Sequence, residues 1–148
     1  MNRADILPRI VIAAHALARI AARDAGNDAP SAQWRVLSLL EASAGARIGA
    51  LATSARTTQP GMTRLIGEME RAGLVIRTAD PEDSRATVVT ATEEGRRALR
   101  AWRDELRDTL APRFADLSEA DWRALERAAQ LLAERSDGST IDRTGDEG

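Results

Sequence analysis

"TTQPGMTRLIGEMERAGLV" spans residues 57–75, and its two halves disagree. Met62, Leu65, Ile66 and Met69 recur at the spacing of one helical face, and Gly73 stands where a helix would end on a left-handed residue. The same helix opens on Pro60-Gly61, a dipeptide of turns, and holds no carboxylate before Glu68. Proline is harmless in a first turn, because the N–H it lacks would have no helical partner there. Glycine costs about 1 kcal/mol relative to alanine in a helix. What it offers is a backbone that another surface can approach closely. Thr58 is placed to cap the free N–H groups. Such a tip, with bare N–H groups, a positive dipole end and no acid, attracts phosphate. The helices that begin further on carry Glu93, Glu94, Glu119 and Asp121 in their first turns instead.

Working outward, "ARTT" (residues 55–58) is a tight connection after a short helix over residues 48–54. A further helix starts at Ser31, with Trp34, Leu37 and Leu40 inward. Beyond Gly73 the period changes. "LVIRT" (74–78) and "ATVVT" (86–90) read as strands around the polar loop "ADPEDSR", a hairpin too small to stand alone. Long helices flank this centre: residues 4–23 before it, and two more after it, broken near Pro112 and restarted by the capping signal "SEAD" at residues 118–121. The last of these is expected to bury Trp122, Leu125, Ala129 and Leu132. Helix, tight turn, helix and hairpin is the layout of a winged helix-turn-helix, whose second helix enters the DNA major groove tip first. Gln59, Thr63 and Arg64 lie opposite the apolar face and suit that role, since glutamine reads adenine, arginine reads guanine and threonine meets a thymine methyl or a phosphate. Arg56, Thr57 and Thr58 would anchor phosphate. A surface helix with a Pro-Gly opening turn is the plainer reading of the same residues.

Composition narrows the classes. The 148 residues contain no Cys, which excludes disulfides, thiol redox sensing and Cys-based zinc sites. Net charge is −2, with every basic residue an Arg. Residues 47–77 hold five Arg against two Glu, a local excess that by itself describes ordinary solvated helix faces. No phosphate-binding glycine loop, nucleophile elbow or His pair appears, so no enzyme and no cofactor are expected. "IVIAAHALARIAA" at residues 10–22 is broken by His15 and Arg19 and reads as an amphipathic helix, not a signal or a membrane span; a cytoplasmic protein is expected.

From Gln33 to Leu99 the chain resembles the MarR family of bacterial transcription regulators. The resemblance rests on "AQWRVLSLL", on "ALATSARTTQPGMTRLIGEMERAGLVIR" and on "DPEDSRATVVTATEEGRRAL". Within these, "MERAGLVIR" followed by Asp-x-Arg in the wing is the most specific part. The chain departs from the family at Ala91-Thr92, where Leu-Thr is common, at Ser84, where a base is common, and at Gly61, where a side chain often meets DNA. The resemblance implies a homodimer on a pseudo-palindromic operator, with two recognition helices in successive major grooves. It implies that Arg85 is the wing-tip contact to a minor groove and that Asp83 holds its guanidinium. It also implies a cleft for a small aromatic or anionic effector, which His15, Arg19, Trp34 and Arg35 would line; His15 alone reads as a partly buried structural histidine. Trp102 and Trp122 would sit in the dimer core.

The resulting expectation is a mainly α (α+β) fold. A helical dimerisation lobe would comprise residues 1–30 and 93–135, a winged helix-turn-helix residues 31–92, and a disordered tail residues 136–148. The DNA surface would comprise Arg56, Thr57, Thr58, Gln59, Pro60, Gly61, Thr63, Arg64, Asp83 and Arg85. The function would be that of a ligand-responsive repressor. A winged helix that binds protein in place of DNA is the alternative, and no metal is expected.

Overall fold

The computed structural model describes residues 2–25 and 31–136. The expected turn at residues 24–30 lies mostly outside that range, as does the expected tail beyond Ser136. The described chain runs α1 (Arg3–Ala25), α2 (Ser31–Glu41), β1 (Ala46–Arg47), α3 (Ile48–Ser54), α4 (Gln59–Arg71), β2 (Val75–Ala79), β3 (Thr87–Ala91), α5 (Glu93–Leu110), a 3-10 turn (Ala111–Phe114) and α6 (Glu119–Ser136). It divides into two compact units, one ending at Leu110 and the other beginning at Ala111.

The first unit is mostly helical around a three-stranded antiparallel sheet of order β1-β3-β2. The hairpin is present, each strand one residue later than the sequence suggested. β1 was not expected, because two residues are too few to show alternation. It exists because Ala46 pairs with Val89 and Arg47 with Val88. Gly45 makes this possible: its φ is +132°, and a Cβ there would meet Val88 Cγ1 at 2.6 Å.

The core follows the helical period. Met62, Ile66 and Met69 of α4 are fully enclosed, facing Leu37, Leu51 and Leu99 from three other helices. Truncating any of these six would cost about 2–5 kcal/mol, so the core fixes α4's rotation and which residues it turns outward.

Two helix ends share one hydrogen-bond pattern. After α4, Leu74 N–H donates to Met69 O at 2.9 Å and Gly73 N–H to Glu70 O at 3.0 Å, with Gly73 at φ +78°. After α3, Thr57 N–H donates to Ala52 O at 2.9 Å and Arg56 N–H to Thr53 O at 3.2 Å. There the left-handed position is held by Arg56, at φ +52°, and not by glycine.

α5 is joined to the end of α4 by backbone. Thr92 N–H donates to Leu74 O at 3.0 Å, and the Thr92 hydroxyl donates to Gly73 O at 2.6 Å while accepting from Gly95 N–H at 3.0 Å. Gly95 lies so close that a Cβ would stand 2.1 Å from Leu74 O. At the C-terminus of α2, Arg103 of α5 grips Glu41 with two bonds of 3.1 and 2.7 Å. That pairing holds the Glu41 carboxyl below its ordinary pKa.

In the second unit, Ser118 and Asp121 cap α6 reciprocally: Ser118 Oγ accepts from Asp121 N–H at 3.1 Å and Asp121 Oδ2 accepts from Ser118 N–H at 3.3 Å. Phe114 and Trp122 rings pack 6.3 Å apart. The expected burial along α6 is not found within one chain: Trp122 is 45% exposed, and Leu125 and Leu132 are exposed with it. On α1, Leu7, Val11 and Ile12 are likewise exposed.

Candidate nucleic-acid interface

The tip of α4 is built as its composition required. Thr58 is extended at the N-cap, and its Oγ1 accepts from Gly61 N–H at 3.2 Å. Pro60 occupies the first turn, which holds no acid. A Cβ on residue 61 would fall 3.0 Å from that same Oγ1, so glycine protects the cap as well as keeping the tip slim. Gln59, Thr63 and Arg64 are exposed together on the outer face. The Thr63 hydroxyl donates back to Gln59 O at 3.0 Å, so its proton is already used within the helix.

The arginines of this region fall into two sets. Arg77 is bound to Glu70, donating its backbone N–H at 3.1 Å and its NH2 group at 3.1 Å. Arg47 donates to Asp80 Oδ2 at 3.0 and 2.6 Å. Arg56, Arg64 and Arg71 meet no carboxylate among the described residues. The unpaired charges therefore belong to the α3–α4 turn and to α4. Arg56 pays for its place with left-handed backbone, a position glycine would fill without strain.

In the wing, Asp83 Oδ1 accepts the Arg85 backbone N–H at 3.1 Å, an Asx turn, and stands 3.7 Å from the Arg85 Nε. The Arg85 side chain is 93% exposed. Asp83 thus shapes the loop more than it grips the guanidinium. The stronger ion pair of the wing joins Arg47 of β1 to Asp80, whose side chain is only 13% exposed. Asp80 also accepts from Glu82 N–H at 2.9 Å. The Glu82 N–H bond and then Arg47 hold the Asp80 carboxyl below its ordinary pKa, and Asp80 raises that of Arg47. Sequence reasoning missed this pair, because 33 residues separate its partners and only the β1–β3 pairing brings them together.

A cavity of about 380 Å³ opens between α1, α2 and α5. Of the four expected effector residues, Trp34 alone lines it. Trp34 stacks on Trp102, centroids 5.3 Å apart and planes within 10°, so Trp102 serves this wall. Arg35 faces elsewhere and donates to Ala55 O at 3.0 Å, closing the C-terminus of α3. His15 and Arg19 are exposed on α1, so His15 is not the partly buried residue expected. Among the described residues no cluster of His, Asp and Glu is arranged to hold a metal ion, and no helix is long and apolar enough to cross a membrane.

Residues 30–87 match the model of the MarR family. An uncharacterized HTH-type transcriptional regulator of Mycobacterium bovis, Mb0904, is 36% identical over 84 residues, 57% of this chain and 59% of that protein. The chain thus spans about three fifths of that relative's length. A MarR family protein from Bacillus stearothermophilus has the same fold: TM-score 0.73 at 21% identity, over 91% of this chain and 97% of that one. The transcriptional repressor CouR, bound to a 23-mer DNA duplex, has a TM-score of 0.63 at 24% identity, over 84% of this chain and 89% of that one.

Proposed function

We propose, from the premise that residues 30–87 of this chain are of the MarR family, that it is a sequence-specific, double-stranded-DNA-binding transcription regulator. It acts as a homodimeric repressor on a pseudo-palindromic operator and is released by a small effector. It is a cytoplasmic binding protein, not an enzyme.

One observation carries this reading above the others. The α4 tip presents an acid-free, capped first turn beside Gln59, Thr63 and Arg64, with Arg56 unpaired on the turn before it. An exposed helix end of that kind suits a groove between phosphate rows. In this arrangement Gln59, Thr63 and Arg64 read bases, with Pro60 and Gly61 allowing close approach. Arg56, Thr57 and Thr58 meet phosphate. Asp83 shapes the wing that carries Arg85 to a minor groove, where arginine reads width more than base identity. The CouR neighbour, bound to DNA, supports the direction of the proposal.

The dimer is supported by apolar surface left exposed among the described residues: Leu7, Val11 and Ile12 on α1 and, separately, Trp122, Leu125 and Leu132 on α6. Such side chains suit a second copy, as a lobe made by residues 1–30 and 93–135 would require. The cavity beside Trp34 is the effector site of this reading.

Selection of bound fragments from genomic DNA tests it. Recovered sites should share two half-sites about 10 bp apart, one helical turn. Affinity should fall steeply with salt, through release of counterions from phosphate. A folded dimer that enriches no fragment, or whose binding ignores salt, would support the protein-binding alternative instead.

A further inference from the structure

Two arginine–carboxylate pairs tie the wing hairpin to the helix-turn-helix. Midway along β2, Arg77 holds Glu70 of α4. Just past the end of β2, Asp80 is held by Arg47, whose Nε and NH2 group both donate to Oδ2, at 3.0 and 2.6 Å. The other oxygen of Asp80 belongs to the wing: Oδ1 accepts the Glu82 N–H at 2.9 Å. From there the loop closes on itself. Asp80 N–H donates to Ala86 O and Ala86 N–H to Asp83 O, each at 2.9 Å, and Asp83 Oδ1 accepts the Arg85 N–H at 3.1 Å. Asp80 is thus the joint through which Arg47 reaches the turn that carries Arg85. Arg47 is also the N-cap residue of α3, yet its side chain makes no bond to that helix. A hollow of about 430 Å³ separates the wing base at Ala86 and Thr87 from the α4 tip at Gln59, and Arg47 borders it.

We infer that Arg47 and Asp80 are positioning residues for DNA binding: their pair holds the wing at the distance from the α4 tip at which Arg85 enters a minor groove while Gln59 and Arg64 face the major groove. The inference rests on the proposal that the wing meets DNA, and it adds two residues that act through Arg85 without touching DNA. Exposure separates this role from a stabilising one. The Arg47 side chain is 53% exposed and that of Asp80 13%, and a pair so open to water on one side adds little to stability. Geometry is another matter. A wing already standing in its bound position spares the complex the entropy of ordering it, and that entropy is lost from affinity when the wing is loose. The hollow sharpens the point, since the wing base and the α4 tip are spaced by open volume and not by packed side chains. The guanidinium at its border, gripping Asp80 with two donors, sets the spacing in their place.

The test uses a duplex recovered by the genomic selection, prepared once with A·T-rich flanks and once with G·C-rich flanks, and the full-length protein. Arg47→Met and Asp80→Asn should each weaken binding to the A·T-flanked duplex by the same factor, on the order of fivefold. The two together should cost no more than either alone. In an Arg85→Ala background neither should matter, and on G·C-rich flanks both losses should shrink. Thermal unfolding should move little. Arg47→Met leaves the Asp80 bond to Glu82 in place, so it reads the pair even where Asp80→Asn disturbs the loop. Losses that persist in the Arg85→Ala background, or that ignore the flanks, would overturn the positioning role and leave the wing contact standing. If Arg47→Met weakens binding while Asp80→Asn leaves it unchanged or tighter, Arg47 is itself a phosphate contact and the inference is wrong. If Arg85→Ala costs nothing on either duplex, or no fragment is recovered, the wing reading and this inference fall together.

Discussion

Replacing Arg56 with glycine should stabilise the fold and weaken the DNA complex. Arg56 is held at φ +52° by the two hydrogen bonds that close α3. A side chain in that conformation costs roughly 1–2 kcal/mol, and glycine gives back about 0.4–1 kcal/mol through its freer unfolded chain. The net gain is about 0.5–1 kcal/mol. For a chain of 148 residues that is a rise in Tm of about 1–4 °C. The fold supplies its own calibration. Gly73 holds the same position after α4 at φ +78°, and a Cβ there would meet nothing within 4 Å. Gly73→Ala therefore measures the backbone cost alone and should lower stability by about 1 kcal/mol. Binding moves the other way. Loss of one phosphate contact per subunit should reduce the slope of log K against log salt by about 1.8 for a dimer. Thermal unfolding of both variants and salt titration of the operator complex measure the two effects. If Gly73→Ala loses stability while Arg56→Gly gains none, the strain argument is wrong. An unchanged salt slope for Arg56→Gly would mean that this guanidinium does not touch the backbone of DNA.

Arg64→Ala should lose about 1–3 kcal/mol on operator DNA and much less on random DNA; equal losses would make it a phosphate contact. Arg85→Ala should weaken binding most where the operator flanks are A·T-rich, and a footprint indifferent to flank sequence would remove the minor-groove role. Gly95→Ala forces a Cβ to within 2.1 Å of Leu74 O, so about 1–3 kcal/mol should be lost in denaturant unfolding; a neutral result would contradict the close joint. Glu41, Glu70, Asp80 and Glu93 are all held below their ordinary pKa, by Arg103, Arg77, the Glu82 N–H and Arg96 respectively. The unfolded chain therefore takes up protons first, so stability should be whole above the ordinary carboxylate range and fall as pH drops through it. Unfolding midpoints that stay flat from neutral pH to below that range would show these pairs to be inconsequential.

What the sequence made legible was what depends on near neighbours. The i, i+3, i+4 spacing of Met62, Leu65, Ile66 and Met69, the Thr58 cap and the left-handed Gly73 are each decided within a few residues, and each was readable. β1 and the Arg47–Asp80 pair depend on which strand lies beside which, and no local pattern encodes that. The cavity lining is an intermediate case. Trp34 lines the hollow while Arg35, the next residue, turns to Ala55 O, and Ala14 lines it while His15 does not, differences of helix rotation that the pattern of this sequence does not fix. An alanine-rich α1 blurs its own inward face, since alanine is at home on either side.

The joint at Gly95 has a mechanical consequence. Where Gly95 meets the Leu74 carbonyl there is no side chain to bend, only main chain against main chain. From Gly95 to Leu110 α5 extends about 22 Å as a stiff rod, and Trp102 sits roughly halfway along it. A displacement of about 1 Å at the far end of such a rod tilts it by some 2–3° about its fixed end. With no soft cushion at that end, a tilt of α5 would press directly on the turn that closes α4.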